Sequence, residues 1–524
     1  MNDQVLSAAA KAFPDTAAAV TLGAVMHDGA TDPRPGVRIP LGMMTRHGLI
    51  AGATGTGKTK TLQLIAEQLS AQGVPVFLAD IKGDVSGVAA AGEAGERVAA
   101  RSRETGWTWK AESRPVEFLS LTGARGARLR ATVSAFGPLL LSRVLELNDT
   151  QTSVLTMVFK YCDDRGLLLL DFADLRAVLQ YLSGDGADDL KDYGGMSQQT
   201  VGVLLREMIE LEAQGARAFF GEPEFDLNDL IRTDAAGRGV VSILELSDAQ
   251  DKPALFSTFM LWMLARLYHD LPEVGDLDKP KLCFFFDEAH LLFRGANKAL
   301  LDQVDQVVRL IRSKGVGVYF VTQSPKDVPA NVLAQLGNRV QHALRAFTAD
   351  DQKALAAAAR TFPNTAFYDI EETLTTLGIG EAFVTVLSAN GAPTPPFATR
   401  LIPPCTRMAP LTEAELQAAL ASSAQVQEYR QDVDRESARE MLEARRAAVV
   451  PDAAPASRGQ PMPKVDPEMG FPTRREAPAR APKPERSTFE QVLRSPVARS
   501  MATTITRGLM GALLGAAGLS RRRR

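Results

Sequence analysis

Short apolar runs alternate with longer amphipathic stretches in two parts of the chain, from about residue 47 to 122 and from about residue 238 to 387. Several of the short runs are nearly continuous Val, Ile, Leu and Phe, as in strands that are buried on both faces of a parallel sheet. The two parts together therefore predict one α/β core. The predicted strands are residues 47–51, 74–81, 116–121, 240–246, 282–287, 317–322 and 382–387.

Helical periodicity fills the stretch between these two parts, most clearly at residues 154–161 and 201–213, and predicts an all-helical insertion. Farther along, Thr412 and Glu415 form a capping-box pattern that predicts a polar surface helix running to about Ala447. Nine prolines from residue 451 to residue 484 then predict an extended, disordered linker.

The end of the chain combines an apolar stretch, residues 508–519, with four arginines at 521–524. A dozen apolar residues fall short of the roughly 20 needed to cross a bilayer, so no membrane span is expected. Three roles remain open for this tail: a solvated cap, an electrostatic hook for DNA, or an interfacial anchor on anionic lipid. The predicted organisation is an N-terminal segment (1–35), a first core part (36–127), a helical insertion (128–235), a second core part (236–405), a helix (406–447), a Pro-rich linker (448–487) and a short helical element with a basic end (488–524).

One loop of the first core part matches a phosphate-binding pattern, G-x-x-x-x-G-K-[ST], between an apolar strand and a helical repeat. Its glycines allow backbone N–H groups to turn toward phosphates, and the helix adds its positive N-terminal end. Lys58 is expected to contact the β and γ phosphates of ATP, and the Thr59 hydroxyl to ligate Mg²⁺. The expected nucleotide-binding residues are Gly52, Ala53, Thr54, Gly55, Thr56, Gly57, Lys58, Thr59 and Lys60.

Polar residues also follow two strands of the second core part. Asp287 and Glu288 end the apolar run that begins at Leu282, which is typical of a Walker B motif. Asp287 is expected to hold Mg²⁺, and Glu288 to orient the attacking water or accept its proton. Gln323 follows the strand at 317–322 and is the expected sensor of the γ-phosphate. The carboxyl ends of parallel strands share one edge, where ligands bind in such folds.

Asp80, Lys82 and Asp84 follow another predicted strand. Two interpretations have equal weight. The residues either help to position water, Mg²⁺ or a neighbouring subunit, or they form a simple turn around Gly83.

The order of these motifs resembles that of the HerA/FtsK group of P-loop motor ATPases, and most closely the bacterial HerA-like proteins. The resemblance covers about residues 36 to 405. It is carried by IPLGMMTRHGLIAGATGTGKTKT, FLADIKGDVSG, FFFDEAHLLF, VRLIRSKGVGVYFVTQSPKDVP and LGNRVQHALRAFT. About 45 residues precede the loop, which are too few for the N-terminal β-barrel of HerA itself.

This resemblance implies a RecA-like core that assembles into a ring, expected to be a hexamer, and that couples ATP hydrolysis to translocation of duplex DNA, as a helicase-type motor does. It also implies an arginine that reaches the nucleotide of a neighbouring subunit. Arg312 is the first candidate because it lies one helix beyond Asp287 and just before the next strand, and Arg345 is the second. The wider set of candidates is Arg309, Arg312, Arg339 and Arg345.

Composition and charge limit how the protein can contact DNA and where in the cell it is expected. The net charge of -3 excludes a strong overall basic field, so contacts with DNA must be local. Three cysteines are too few and too scattered for a disulfide framework, and the first residues do not read as a secretory signal, so a cytoplasmic protein is expected. A second function stays open, a regulatory or assembly ATPase that binds a protein partner through the helical insertion or the C-terminal tail.

Overall fold

The computed structural model describes residues 2–449, except 16–17, 248–251, 294–297, 389, 432 and 434. Within these residues, twelve strands form one mixed sheet. The strands are β1 (Ala19–His27), β2 (Ala30–Pro40), β3 (Gly48–Ala51), β4 (Val76–Asp80), β5 (Val116–Ser120), β6 (Ala127–Arg128), β7 (Val241–Glu245), β8 (Leu282–Phe286), β9 (Val316–Thr322), β10 (Asn338–Gln341), β11 (Glu381–Thr385) and β12 (Phe397–Leu401).

Helices connect and cover these strands. Over the same described part of the chain they are α1 (Asp3–Ala12), α2 (Lys58–Ala71), α3 (Glu96–Thr105), α4 (Val133–Val144), α5 (Asp149–Arg165), α6 (Phe172–Leu182), α7 (Gln198–Ala213), α8 (Pro253–Asp270), α9 (His290–Phe293), α10 (Lys298–Leu310), α11 (Ala330–Leu333), α12 (Ala349–Ala359), α13 (Ile370–Thr376), α14 (Glu413–Ser422), α15 (Ala424–Arg430) and α16 (Ala438–Val449).

The strand order is β2-β1-β12-β11-β10-β3-β9-β8-β4-β7-β5-β6. Strands β10 through β6 of this order are parallel, whereas β11, β12, β1 and β2 extend the sheet with antiparallel pairs. The ends of β3, β4, β8, β9 and β10 therefore meet at one side of the sheet, called here the carboxyl edge. Their starts meet at the other side, called the amino edge.

Aromatic side chains make the centre of this sheet fully buried. In β8, Phe284, Phe285 and Phe286 point alternately to the two faces, and none of them is exposed. Phe285 stacks on Tyr319 of β9 with ring centroids 4.9 Å apart, and Phe286 stacks on Phe320 at 5.5 Å. Because both faces are covered, the strand reads as a continuous apolar run, as the sequence predicted.

Helices α4 to α7 lie between β6 and β7 in the chain, where the helical insertion was predicted. Phe219, which follows α7, contacts Trp262 of α8 edge-on at 5.6 Å, so the insertion packs on a core helix. The predicted α/β fold, a largely parallel sheet covered by helices and interrupted by a helical insertion, is confirmed. The predicted linker and tail lie outside the described residues.

The prediction missed strands at both ends of the core. It assigned no structure to residues 1–35, but α1, β1 and the start of β2 lie there. β1 pairs with β12 and β2 pairs with β1, both antiparallel. Side chains of α2 tie this hairpin to the core, since the Gln68 amide group exchanges hydrogen bonds of 2.9 and 2.8 Å with the backbone of Thr21.

The single surface helix predicted to run to Ala447 is wrong. The described residues of this stretch form three helices, and Ser423 separates the first two because its hydroxyl accepts a hydrogen bond from Val426 N and so starts a new helix. The stretch is also packed against the core, since Leu416, Tyr429 and Leu442 are buried. The predicted capping box of Thr412 and Glu415 is present.

Among the described residues, no helix combines the length and the apolar character that a membrane crossing requires.

Candidate active site

The loop between β3 and α2 lies at the carboxyl edge. Gly57 forms the N-cap of α2 with φ of +113°, and Gly52 has φ of +154°, values that side chains rarely tolerate. A Cβ atom on Gly52 would lie 2.5 Å from Cβ of His342, so glycine is also required for space. Gly52 N donates to Thr322 O at 3.2 Å, which fixes the loop against the end of β9.

Lys58 begins α2 and folds back over this loop. Its ammonium donates to the carbonyl oxygens of Gly52 at 2.7 Å and Ala53 at 3.2 Å, and the residue is 8% exposed. Burial lowers the pKa of Lys58, whereas the charge of Glu288 raises it. The ammonium is therefore already held inside the loop that would surround a phosphate.

Asp287 follows β8 at the same edge and is 2% exposed. Burial, together with the neighbouring charge of Glu288, raises its pKa to about 7. Its Oδ2 atom is buried and has no hydrogen-bond partner in the described protein. A buried carboxylate oxygen without a partner suits a hydrated cation, because Mg²⁺ prefers oxygen ligands and keeps several waters. Thr59, half-buried in the first turn of α2, adds a hydroxyl at this edge.

Glu288 adopts the left-handed conformation, with φ of +47°, and is 5% exposed. Such backbone conformations are rare outside glycine and cluster at functional sites. One carboxylate oxygen forms an ion pair with Lys82, and the other lies 3.2 Å from Nδ1 of His290. Burial alone would raise the pKa of Glu288, but the hydrogen bond and charge of Lys82 outweigh it and hold this pKa below its usual value. The carboxylate is therefore ionised and able to accept a proton.

Asp80, Lys82 and Asp84 form a turn, which is one of the two interpretations that the sequence left open, and this turn lies beside the acidic pair. Asp80 accepts hydrogen bonds from the backbone N–H groups of Gly83, Asp84 and Val85 at 2.8, 3.3 and 2.9 Å, so it stabilises a turn. Lys82 extends from this turn to Glu288. Oxygens of Asp80 and Asp84 also lie within 4.8 Å of one another and of Asp287, and burial raises the pKa of Asp80.

Gln323 is exposed at the end of β9 and lines a cavity of about 1010 Å³ with Ala53, Thr54 and Arg345, called here the sensor cavity. The turn after Gln323 is rigid, because the Asp327 carboxylate accepts hydrogen bonds from Thr322 Oγ1 at 2.8 Å and Ser324 N at 2.9 Å. The structure thus brings the predicted sensor next to the first half of the phosphate loop.

The candidate arginines separate into two groups. Arg345 lies just beyond β10 at the carboxyl edge, and its guanidinium donates to Thr375 O at 2.8 Å. Arg312 precedes β9 and therefore lies at the amino edge, where it pairs with Asp276 at 3.0 Å.

The other two candidates lie with Arg312. Arg309, Arg312, Arg339 and Arg46 line a cavity of about 440 Å³, called here the arginine cavity. Arg309 pairs with Asp305 at 2.8 Å. Arg339 is held in place by backbone carbonyl oxygens, including Thr361 O at 2.8 Å. The sequence-predicted residues thus form one site at the carboxyl edge, except Arg312, Arg309 and Arg339.

The chain is similar to known proteins. The family model for the helicase HerA-like C-terminal region matches residues 26–524. No curated protein sequence matches the chain. The plasmid coupling protein TrwB in complex with ADP and Mg²⁺ is a similar solved structure, with 15% identity over 75% of this chain and 90% of that chain and a TM-score of 0.46. VirB4 of Thermoanaerobacter pseudethanolicus is another, with 14% identity over 74% of this chain and 97% of that chain and a TM-score of 0.46.

Proposed function

The chain belongs to the helicase HerA-like C-terminal family, and from this membership we propose that it is a Mg²⁺-dependent ATPase whose hydrolysis drives a ring-shaped motor along duplex DNA. The observation that carries the proposal is the carboxyl edge itself. Lys58, Asp287 and Glu288 are all buried there, and the phosphate loop is fixed against the end of β9.

Each residue has a role that its position supports. The loop amides bind the phosphates, Lys58 contacts the β and γ phosphates, and Thr59 and Asp287 hold Mg²⁺, which neutralises charge on the phosphates. Glu288 orients the attacking water and accepts its proton, for which an ionised carboxylate is required. Gln323 projects from the rigid turn after β9 and contacts the γ-phosphate or the water.

In the ring, expected to contain six subunits, Arg312 of one subunit would contact the nucleotide of the next. Its place at the amino edge supports this role, because it is far along β9 from the loop of its own subunit. The Arg312 side chain is 39% exposed, and its partner Asp276 is 72% exposed, so Arg312 can exchange Asp276 for another anion. Arg345, the second candidate for an arginine that acts between subunits, lines the sensor cavity beside the loop of its own chain, so we assign it instead to the nucleotide of its own chain.

A second candidate function is a regulatory or assembly ATPase that acts on a protein complex without DNA. Exposed apolar side chains of the helical insertion favour it, since Leu139 is 65% exposed and Ile209 is 56% exposed. The net charge of -3 also gives DNA no general attraction. In both cases we place the protein in the cytoplasm, where the free thiols of Cys162 and Cys283 would stay reduced.

One comparison separates the two functions. ATP hydrolysis is measured with and without duplex DNA over a series of salt concentrations, with Glu288→Gln as the inactive control. A motor on DNA would show stimulation by DNA that fades as salt rises, because phosphate contacts depend on counterion release. A rate of ATP hydrolysis that DNA does not change at any salt concentration would overturn the DNA motor. Stimulation by a protein from the same cells would then support the alternative.

A further inference from the structure

One aromatic side chain projects into solvent at the carboxyl edge. Phe347 follows β10 and is 88% exposed, whereas every other phenylalanine among the described residues is buried or half-buried. An aromatic side chain buries about 150 to 250 Å² when it is fully packed, so a large apolar surface is left in water here. Aromatic side chains are also enriched where proteins contact each other. Phe347 therefore has the properties of an interface residue.

The loop that carries Phe347 is held on both sides. After it, the Asp351 carboxylate accepts hydrogen bonds from the backbone N–H groups of Phe347 at 3.2 Å and Thr348 at 2.9 Å. Before it, the guanidinium group of Arg345 donates to Thr375 O at 2.8 Å. The loop is thus formed without a partner, and little ordering is needed when a partner covers the ring.

The arginine cavity, on the other edge of the sheet, suits an aromatic ring. Besides its arginines, its walls include the buried Phe362, the half-buried Pro363 and the exposed Pro393. Aromatic rings pack on one another edge-to-face, and a guanidinium group attracts the face of a ring. The guanidinium group of Arg339 is already held in place by backbone carbonyl oxygens. The volume of about 440 Å³ lies within the range of about 300 to 1,000 Å³ that is typical of binding pockets.

A contact between Phe347 and the arginine cavity joins two copies of the chain. Residues 335–337, which precede β10, line the cavity, whereas Phe347 follows β10 and is exposed in its own chain. The two surfaces are therefore different parts of the molecule. Contacts of this head-to-tail type form a ring when the rotation between neighbouring copies closes.

The charges beside the two surfaces are opposite in sign. Asp350, in the first turn of α12, is 85% exposed and pairs with the exposed Lys353 at 3.1 Å, and such surface pairs exchange readily. Its carboxylate suits a cavity lined by four arginines. A DNA base stacked on Phe347 would instead bring phosphates toward this carboxylate. A second copy of the chain is therefore the occupant that the charges favour.

We propose that Phe347 of one subunit inserts into the arginine cavity of the next subunit and stabilises a head-to-tail interface. The proposal rests on the ring in the proposed function and adds the contact that forms it. Asp351, which fixes the Phe347 loop, also lines the sensor cavity. The same contact therefore places Arg312 of the next subunit beside the sensor cavity of the first.

Sedimentation velocity of the full chain with ATP and Mg²⁺ tests the contact. Phe347→Ala should raise the protein concentration needed for half-maximal assembly about tenfold, as for the loss of an aromatic residue that dominates an interface. Phe347→Tyr keeps the ring and should assemble as the natural chain does. The matched control is Ile209→Ala, which removes another exposed apolar side chain, on α7, and should change nothing. Because Phe347 is exposed, its substitution leaves the core intact.

Cross-linking tests the direction of the contact. Asp350→Cys and Pro393→Cys are combined in one chain, which keeps Phe347, and a short bismaleimide reagent joins the thiols. A head-to-tail contact should give a ladder of dimers, trimers and larger species on a denaturing gel. Ile209→Cys combined with Pro393→Cys is the control, and the natural chain shows the background from Cys405, which is half-buried.

Several results would overturn the proposal: unchanged assembly of Phe347→Ala, a natural chain that stays monomeric, dimers only after cross-linking, or an equal ladder in the control. Weaker DNA binding by Phe347→Ala with unchanged assembly would assign the side chain to stacking on DNA bases. If Phe347→Ala alone weakens assembly but DNA never stimulates hydrolysis by the natural chain, the DNA motor fails and the interface stands.

Discussion

The two edges of the parallel sheet carry charges in opposite ways. At the carboxyl edge, Lys58, Asp287 and Glu288 are 8%, 2% and 5% exposed, and the fold itself holds them. At the amino edge, the side chains of Arg309 and Arg312 are 55% and 39% exposed and pair with Asp305 and Asp276. Buried charges need fixed partners, whereas surface pairs contribute little and exchange readily. One chain therefore supplies the buried charges of the carboxyl edge, and the amino-edge arginines can exchange their partners.

The most severe test of this difference is Arg312→Ala. If Arg312 contacts the nucleotide of a neighbouring subunit, kcat for ATP should fall by about 10³- to 10⁵-fold, as for an arginine that stabilises phosphoryl transfer. Steady-state hydrolysis measures the change. Arg309→Ala, which removes another arginine of the arginine cavity, is the matched control and should have little effect.

Mixing experiments determine whether Arg312 acts between subunits. Arg312→Ala and Lys58→Ala subunits are both inactive alone, but a mixed ring contains interfaces with an intact loop and an intact arginine. Mixtures should recover part of the activity. If no mixture recovers activity, Arg312 does not act on a neighbouring subunit, and the difference in exposure between the two edges has no role in catalysis.

Glu288→Gln tests the carboxyl edge. The amide cannot accept a proton, so kcat should fall by about 10²- to 10⁴-fold, the usual contribution of a general base. ATP binding should persist, because Lys58 and the loop are untouched, and calorimetry would show this. Glu273→Gln, which changes an exposed glutamate near Lys314, serves as the control. Equal losses of kcat and of ATP affinity would show that Glu288 supports the loop and is not the base.

His47 at the amino edge should make the free energy of unfolding depend on pH. Burial, with the charges of Arg312 and Arg46, lowers its pKa to about 4, and its Nδ1 atom accepts a hydrogen bond from Val318 N at 3.0 Å. The unfolded chain binds a proton near pH 6.5 and the folded chain does not, so stability is full above pH 6.5 and falls as the pH drops toward 4.

This histidine should lower the free energy of unfolding by about 2 kcal/mol between pH 7.5 and pH 5. His47→Asn should remove that part of the decrease, because Asn tolerates the positive φ of +58° and places an oxygen near the position of Nδ1. Urea unfolding at both pH values measures the difference. An identical pH dependence in both proteins would mean that His47 does not titrate in this range. The buried His342, with a pKa also lowered to about 4, contributes a decrease of the same sign.

The smallest effect is expected from Lys82→Met. Without the ion pair, burial raises the pKa of Glu288, so less of the carboxylate is ionised and basal hydrolysis should fall by roughly two- to fivefold. Lys326→Met, an exposed lysine of the sensor cavity, is the control for lost charge. An increase in turnover would instead show that Lys82 holds Glu288 away from the attacking water.

Much of the site was visible in the sequence because phosphate loops and Walker B strands are local patterns. Lys58, Asp287 and Gln323 each follow or precede a strand whose apolar run marks it. The contact of Lys82 with Glu288 joins positions 206 residues apart, and no local pattern encodes it. The same holds for Arg101, whose guanidinium donates to the carbonyl oxygen of Gly380, 279 residues away.

The missed strands have a physical reason as well. β10, with the sequence NRVQ, has only four residues and one strongly apolar side chain, so it lacks a strand signal. β2 contains three prolines and charged residues that are tolerated because it lies at the end of the sheet. Such strands are determined by their neighbours and not by their own residues.

The N-terminal hairpin of β1 and β2 limits aggregation of the chain. β1 covers β12 along Gly23 to Val25, and β2 then ends the sheet with prolines and arginines that resist further pairing. A chain shortened to begin at β3 would keep every residue of the candidate active site but leave β12 with unpaired N–H and C=O groups. The shortened chain would self-associate through that strand. A loss of activity on truncation would therefore say nothing about catalysis.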